Sequence, residues 1–348
     1  MTYHIQSTSE PLSGEQPPPS DEHSTPRLKV AVLMRADDTL PPAFDRLRHE
    51  AEVRLATETT LGDALKGADV LVVWDFVSPV LESVFHHADT LRWIHIASAG
   101  VDAHMFPALR ASDVMVTNAR DIFNRPIAEF TLSYMLTFSK DMLRSRALQS
   151  RHHWLHRETT DLRGSTALIV GTGAIGREIA RVLRGVGVEV RGAGSTARTG
   201  DPEFGVVIDS AQLSQHVSDI DWLINIAPLT PRTHHLITSE VFTAMPTSAY
   251  FLNLGRGASV VTDDLVWALE NAEIAGAALD VVDPEPLPEN HPLWDYENVI
   301  ITPHMSGDTH GWQNRLAQQF MNNWERYRRG APLENLVDVY TGYSARRT

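Results

Sequence analysis

A chain of 348 residues is too long for one ordinary core, and two domains of ordinary size are the expectation. Its 30 basic and 44 acidic residues leave a formal charge of -14, which repels polyanions and argues against nucleic-acid or anionic-membrane binding, leaving a small molecule as the expected partner. The lack of cysteine removes disulfides, thiolate metal sites and cysteine nucleophiles, and fits a cytoplasmic protein.

In chain order, residues 1–26 carry Ser, Glu and a Pro17-Pro18-Pro19 run but neither the basic residues nor the apolar centre of a signal peptide, so a disordered tail is expected. From Arg27 short β-branched runs alternate with helical stretches. Lys29 to Met34, Glu52 to Ala56, Val70 to Trp74, Trp93 to Ile96 and Met115 to Thr117 read as strands of a parallel sheet. Pro126 sits where a first helical turn tolerates proline, and Ile127, Phe130, Leu132, Tyr134, Leu136 and Phe138 fill a long, largely buried helix behind it. A second alternation runs through Thr166 to Val170, Val188 to Ala193, Trp222 to Ile226, Ala249 to Leu254, Gly276 to Val281 and Val299 to Thr302, six strands of a doubly wound unit. Trp312, Leu316, Phe320 and Trp324 then recur every four residues on a last helix, stopped by Arg328, Arg329, Gly330 and Pro332 and expected to return to the first sheet. No apolar run reaches membrane-spanning length. The expected architecture is α/β: a Rossmann cofactor domain (126–302) inserted in a flavodoxin-like parallel-sheet substrate domain (27–125 and 303–340), with a short tail at 341–348.

Gly171, Gly173 and Gly176 follow the apolar run Leu168-Ile169-Val170 and open a helix expected from Arg177 to Leu183. Such glycines allow a tight turn and the close approach of a pyrophosphate to helix amides, whose dipole favours an anion. A plain strand-to-helix turn would use glycine too, but this one starts at residue 171, after a complete alternating unit, whereas an L-lactate-type dehydrogenase carries it near its start. Three further residues lie just past strands of the same unit. They are Arg256 in Asn253-Leu254-Gly255-Arg256-Gly257, Glu285 in Asp283-Pro284-Glu285-Pro286, and His304 in Thr302-Pro303-His304-Met305-Ser306-Gly307. Singly they read as a surface ion-pair partner, a charged loop residue and a structural histidine. Together, at the carboxyl ends of strands, they converge on one crevice.

On these motifs, with Ser98-Ala99-Gly100-Val101-Asp102, Thr117-Asn118-Ala119, Ile127-Ala128-Glu129-Phe130 and Ala278-Leu279-Asp280-Val281, the chain resembles the D-isomer-specific 2-hydroxyacid dehydrogenases over roughly residues 27 to 340. The resemblance implies a cleft between two domains and a homodimer joined through the cofactor domains. It also implies that the Ala99 and Gly100 backbone binds the substrate carboxylate, and that Asp280 meets the nicotinamide carboxamide. Ile226, Ala227, Pro228 and Leu254 would border the cofactor, with Gly171, Gly173, Ala174, Ile175 and Gly176 at its pyrophosphate. Formate-oxidising relatives pair their histidine with glutamine, which Glu285 disfavours; phosphite oxidation and a nicotinamide-sensing corepressor remain as alternatives.

Hydride delivery to a 2-keto acid leaves an alkoxide, so a site for it needs a proton donor at that oxygen and a cation for the carboxylate. His304 suits the first role, Arg256 the second by its bidentate fork. Glu285 would raise the histidine's pKa and fix its tautomer. For the cofactor, the acid that holds the ribose hydroxyls in NAD enzymes belongs about 20 residues beyond the glycines, a position held here by Gly194. Ser195, Thr196 and Arg198 follow with hydroxyl and guanidinium donors, so NADP is expected over NAD. A loop in which Arg198 touches nothing is the alternative, and Asp201 is close enough to serve as a substitute acid. His152, His153 and His156 lack a carboxylate pattern, so a solvated segment is expected there and no metal site. Residues Trp74, Asp75, Phe76 and Val77 are the expected specificity residues.

Overall fold

The computed structural model describes residues 27–340; the tail read at 1–26 and the one at 341–348 lie outside the described residues. The first sheet has five parallel strands, β1 (Lys29–Leu33), β2 (Glu52–Ala56), β3 (Val70–Val73), β4 (Trp93–Ile96) and β5 (Met115–Asn118), in the order β2-β1-β3-β4-β5. This is the flavodoxin-like order. β3 and β4 are buried along their whole length, which is why Val70-Leu71-Val72-Val73 and Trp93-Ile94-His95-Ile96 show no polar alternation.

The second sheet comprises β6 (Thr166–Val170), β7 (Glu189–Gly194), β8 (Arg198–Asp201), β9 (Gly205–Asp209), β10 (Trp222–Asn225), β11 (Tyr250–Asn253), β12 (Gly276–Leu279) and β13 (Val299–Ile301). Their order is β13-β12-β11-β10-β6-β7-β9-β8, so the winding reverses between β6 and β10. The six expected strands become eight. β9 continues the sheet parallel to β7, and β8 turns back antiparallel on β9 at the edge. Arg198-Thr199-Gly200-Asp201 carries no apolar alternation, so nothing in its pattern marks a strand. Its turn is held by the Asp201 carboxylate, which accepts from the amides of Glu203 (3.0 Å) and Phe204 (3.2 Å). Several residues read as strand ends, among them Trp74, Ile226, Leu254, Val281 and Thr302, have already left their sheets at the carboxyl edges.

The helix Asn124–Ser139 starts two residues before Pro126 and buries Ile127, Ala128, Tyr134 and Met135 in a core continuous from Val30 and Val72 of the first sheet to Ala167 and Ile169 of the second. The last helix, Trp312–Arg328, returns to the first sheet as its stripe predicts. Phe320 stacks on Phe44 (5.7 Å between ring centroids) and Trp93 (5.3 Å), and Trp324 Nε1 donates to Glu50 (2.8 Å). Val337 then donates to Val116 (2.9 Å), so both ends of the described chain build the first sheet. Among the described residues no helix is long and apolar enough to cross a membrane.

Candidate active site

Because β11, β12 and β13 are neighbours in register, the segments leaving their carboxyl ends carry Arg256, Glu285 and His304 side by side. His304 Nδ1 lies 2.7 Å from Glu285 Oε1. That bond, ahead of the opposing effect of burial, raises the imidazole pKa above its ordinary value, and the nearby Arg256 charge pulls it partly back. His304 adopts φ 51°, a left-handed conformation uncommon for histidine, and its amide donates to the Asp280 carbonyl (2.8 Å).

Asp280, which the sequence reading aims at the cofactor, is buried and braces this loop. Its Oδ1 accepts from the Thr302 hydroxyl (2.6 Å) and the Met305 amide (2.9 Å), and its Oδ2 from the Ser306 amide (3.0 Å). With the Thr302 proton committed to Asp280, the Tyr134 hydroxyl is the donor to Thr302. Burial and the Asp280 charge raise the Tyr134 pKa, so the phenol stays protonated.

Arg256 is held from the other sheet. Asp102, in the segment after β4, accepts from its Nε (3.2 Å) and its Nη2 (3.0 Å), while Nη1 donates to the Gly255 carbonyl (2.8 Å). A guanidinium has five N–H groups. Three are used, and one remains on each terminal nitrogen, a fork of the kind that can hold a carboxylate. Gly100 closes over that fork: a Cβ there would lie 1.6 Å from Nη2. Among the described residues the Ala99 and Gly100 amides donate to no protein acceptor, so two backbone donors stand beside the arginine. The Arg256 backbone is fixed by a buried amide network. Asn225 Nδ2 donates to Asn253 Oδ1 and Ser259 Oγ (2.9 Å each), and Asn253 Nδ2 donates to the Arg256 carbonyl (3.2 Å).

The glycine turn leaves β6 at the switch point. Gly171 has φ 110°, and a Cβ on it would lie 2.8 Å from the carbonyl carbon of Ile226 and 2.9 Å from the Ala227 nitrogen, so Ile226 and Ala227 lie against the turn. A Cβ on Gly176 would lie 1.9 Å from the Gly171 carbonyl oxygen, whereas at Gly173, the N-cap of the helix Ala174–Gly185, it would meet nothing within 4 Å. The backbone is thus uncovered at the Gly173 end of the helix, where free amides favour an anion. Leu254 is buried in the core beside these strands.

At the end of β7 the Arg198 guanidinium occupies the ground of the missing acid. Its Nη1 lies 3.6 Å from where a Gly194 Cβ would be, and its Nη2 donates to Thr172 Oγ1 of the glycine turn (2.9 Å). Arg198 is therefore no free loop residue. Asp201 is no substitute acid either, since Arg177 and Arg198 both donate to it and its side chain is 2% exposed. Ser195 and Thr196 are exposed beside them. Trp74 is core, packed edge-on against Phe44 at 5.3 Å, which removes it from the expected specificity residues; Asp75 and Phe76 are half-buried and Val77 is exposed. His152, His153 and His156 are exposed.

Asn225, Ser259 and Arg177 carry no role in the sequence reading, and Asp102 and Thr302 enter it only as members of motifs. Asn225 and Asn253 did carry a signal, each being a polar residue that ends an apolar strand.

A dinucleotide cradle at the switch point of one sheet, with a cation fork and a protonatable imidazole within the same crevice, is the equipment of a nicotinamide-dependent oxidoreductase acting on a carboxylate. Residues 132–306 match the D-isomer specific 2-hydroxyacid dehydrogenase, NAD binding domain. A glyoxylate/hydroxypyruvate reductase A of Serratia proteamaculans is 30% identical over 284 residues, 79% of this chain and 88% of the relative. The glyoxylate reductase/hydroxypyruvate reductase of Homo sapiens is 32% identical over 250 residues, covering 70% and 76%. The crystal structure of an NADPH-dependent glyoxylate/hydroxypyruvate reductase from Sinorhizobium meliloti, in complex with NADP and sulfate, superposes with a TM-score of 0.76 at 27% identity, covering 90% of this chain and 100% of that one. The chain belongs to the D-isomer specific 2-hydroxyacid dehydrogenase family.

Proposed function

We propose that this protein reduces short 2-keto acids, glyoxylate and hydroxypyruvate among them, to D-2-hydroxy acids, and prefers NADPH to NADH. The observation that carries the reading is Arg256, with one N–H unused on each terminal nitrogen, in the strand-end segment series that also carries the Glu285-paired His304. The bound nicotinamide supplies the hydride. Arg256 and the Ala99 and Gly100 amides hold the carboxylate, and protonated His304 gives its Nε2 proton to the carbonyl oxygen as charge develops there. Glu285, accepting from Nδ1–H, keeps the Nε2 side facing the substrate, so in the reverse direction the neutral ring is the base. Gly171, Gly173, Ala174, Ile175 and Gly176 hold the pyrophosphate; Ile226, Ala227, Pro228 and Leu254 border the cofactor; Asp280 meets the carboxamide with the acceptor capacity its protein donors leave. Ser195, Thr196 and Arg198 take the 2'-phosphate. The boundaries follow the sheets, a cofactor domain at 126–302 within a substrate domain at 27–125 and 303–340.

We further read the protein as a homodimer joined through the cofactor domains. The helix Met142–Ser150 has no buried residue, Trp154 beyond it is 97% exposed, and Met142, Leu143 and Leu155 are exposed as well. The arm is nevertheless anchored, by Arg157 to Asp141 and by Lys140 to Asp161 (3.0 Å). An anchored apolar arm facing solvent fits a second copy. The decisive experiment for the activity is a spectrophotometric panel of 2-keto acids with NADPH and NADH, run in reverse with chiral hydroxy acids. Turnover of glyoxylate or hydroxypyruvate is expected; no turnover of any 2-keto acid overturns the reading.

A further inference from the structure

We infer that Asp201 is a positioning residue for cofactor choice: it fixes the Arg198 guanidinium in the space beside Gly194, where a 2'-phosphate is recognised. The inference rests on the NADPH reading above and adds how this chain builds that preference. An arginine on a short edge strand has many rotamers, and fixing one of them costs side-chain entropy. Here the cost is met before any ligand arrives. Asp201 Oδ2 accepts from Arg198 Nε (3.0 Å) and Nη2 (2.8 Å), and Thr172 Oγ1 accepts a further Nη2 proton (2.9 Å). Those contacts leave Nη1 with only a long bond to the Thr196 carbonyl (3.5 Å), and it is the end turned to Gly194.

A lone carboxylate would neutralise the arginine it holds. Asp201 does not, because it is shared: Arg177, on the helix that starts at the glycine turn, donates to Oδ1 (2.8 Å) and Oδ2 (2.7 Å). Two guanidinium groups on one carboxylate leave a net positive charge beside the cradle. The carboxylate is held far below its usual range, first by the Arg177 bond, so it does not titrate near neutrality. The same carboxylate closes the β8–β9 turn through the Glu203 and Phe204 amides, tying the guanidinium's position to the fold of the hairpin.

The test measures binding of adenosine 2',5'-bisphosphate and of 5'-AMP to the cofactor-free protein by calorimetry, alongside KM for NADPH and NADH. In Asp201→Asn, whose amide oxygen retains the turn bonds, bisphosphate affinity is expected to fall on the order of tenfold, the scale of one charge-assisted hydrogen bond. 5'-AMP affinity, KM for NADH and kcat should stay unchanged. Arg177→Gln, which keeps Asp201 but removes the second cation, should also weaken the bisphosphate selectively and decides the matter if Asp201→Asn does not fold. A wild type that binds both nucleotides equally overturns the NADPH reading together with this inference. A wild type that prefers the bisphosphate, with variants that keep the preference, overturns the inference alone.

Discussion

His304 sits between a carboxylate that favours its charged form and a partly buried setting, with Arg256 nearby, that disfavours it, and the hydrogen bond to Glu285 wins. Keto-acid reduction needs the protonated ring, so its rate should hold at low pH and fall as pH rises through the raised pKa; oxidation should rise over the same window. In Glu285→Gln the falling limb moves to lower pH, because the largest contribution favouring the imidazolium is gone. An unchanged pH–rate profile would contradict the pairing. His304→Gln should lower kcat by about 100- to 10,000-fold, the usual value of a positioned general acid, with NADPH affinity by fluorescence nearly intact; near-normal turnover would dismiss the assignment. Asp102 acts through Arg256 rather than on substrate. Asp102→Asn weakens the side-on grip that orients the open fork, and kcat/KM for the keto acid should drop by about tenfold or more with KM for NADPH unmoved.

At the level of elements, the two sheets were legible because their strands are buried, and burial on both faces leaves uninterrupted runs such as Val70-Leu71-Val72-Val73. The β8–β9 hairpin was not. Its first strand is a short, polar edge whose stability comes from the Asp201 bonds and from pairing with β9, neither of which leaves a periodic trace. Turn chemistry alone, Asp201-Pro202 before Gly205, hinted at it. The returning helix was legible from its four-residue stripe, and it supplies Phe320 to a fully buried aromatic stack with Phe44 and Trp93. Phe320→Ala should cost about 3–5 kcal/mol, read as a lowered midpoint in thermal or urea unfolding. A midpoint within error of wild type would mean that the stack contributes little.

For the whole molecule, the arm ending in Trp154 carries the expectation about assembly. Trp154→Asp places a charge on an apolar surface that a second copy would cover, so sedimentation should shift from dimer towards monomer, while helix content by circular dichroism stays constant. A wild type that sediments as a monomer at all concentrations would remove the dimer; a variant that stays dimeric would move the interface elsewhere.

The sequence by itself determined the α/β class and the two sheets and pointed to Arg256, Glu285 and His304 with the chemistry proposed for them, because each rests on local pattern: apolar runs, a glycine spacing, and reactive residues directly after strands. Tertiary structure alone decided who holds those residues. Asp102 reaches Arg256 from the opposite sheet across 154 positions of sequence, Asp280 spends its oxygens on the His304 loop, and Asp201 ties together two arginines from different elements. Such contacts depend on which chain ends the crossovers bring together and on the direction each side chain takes from its strand end, and a linear pattern encodes neither.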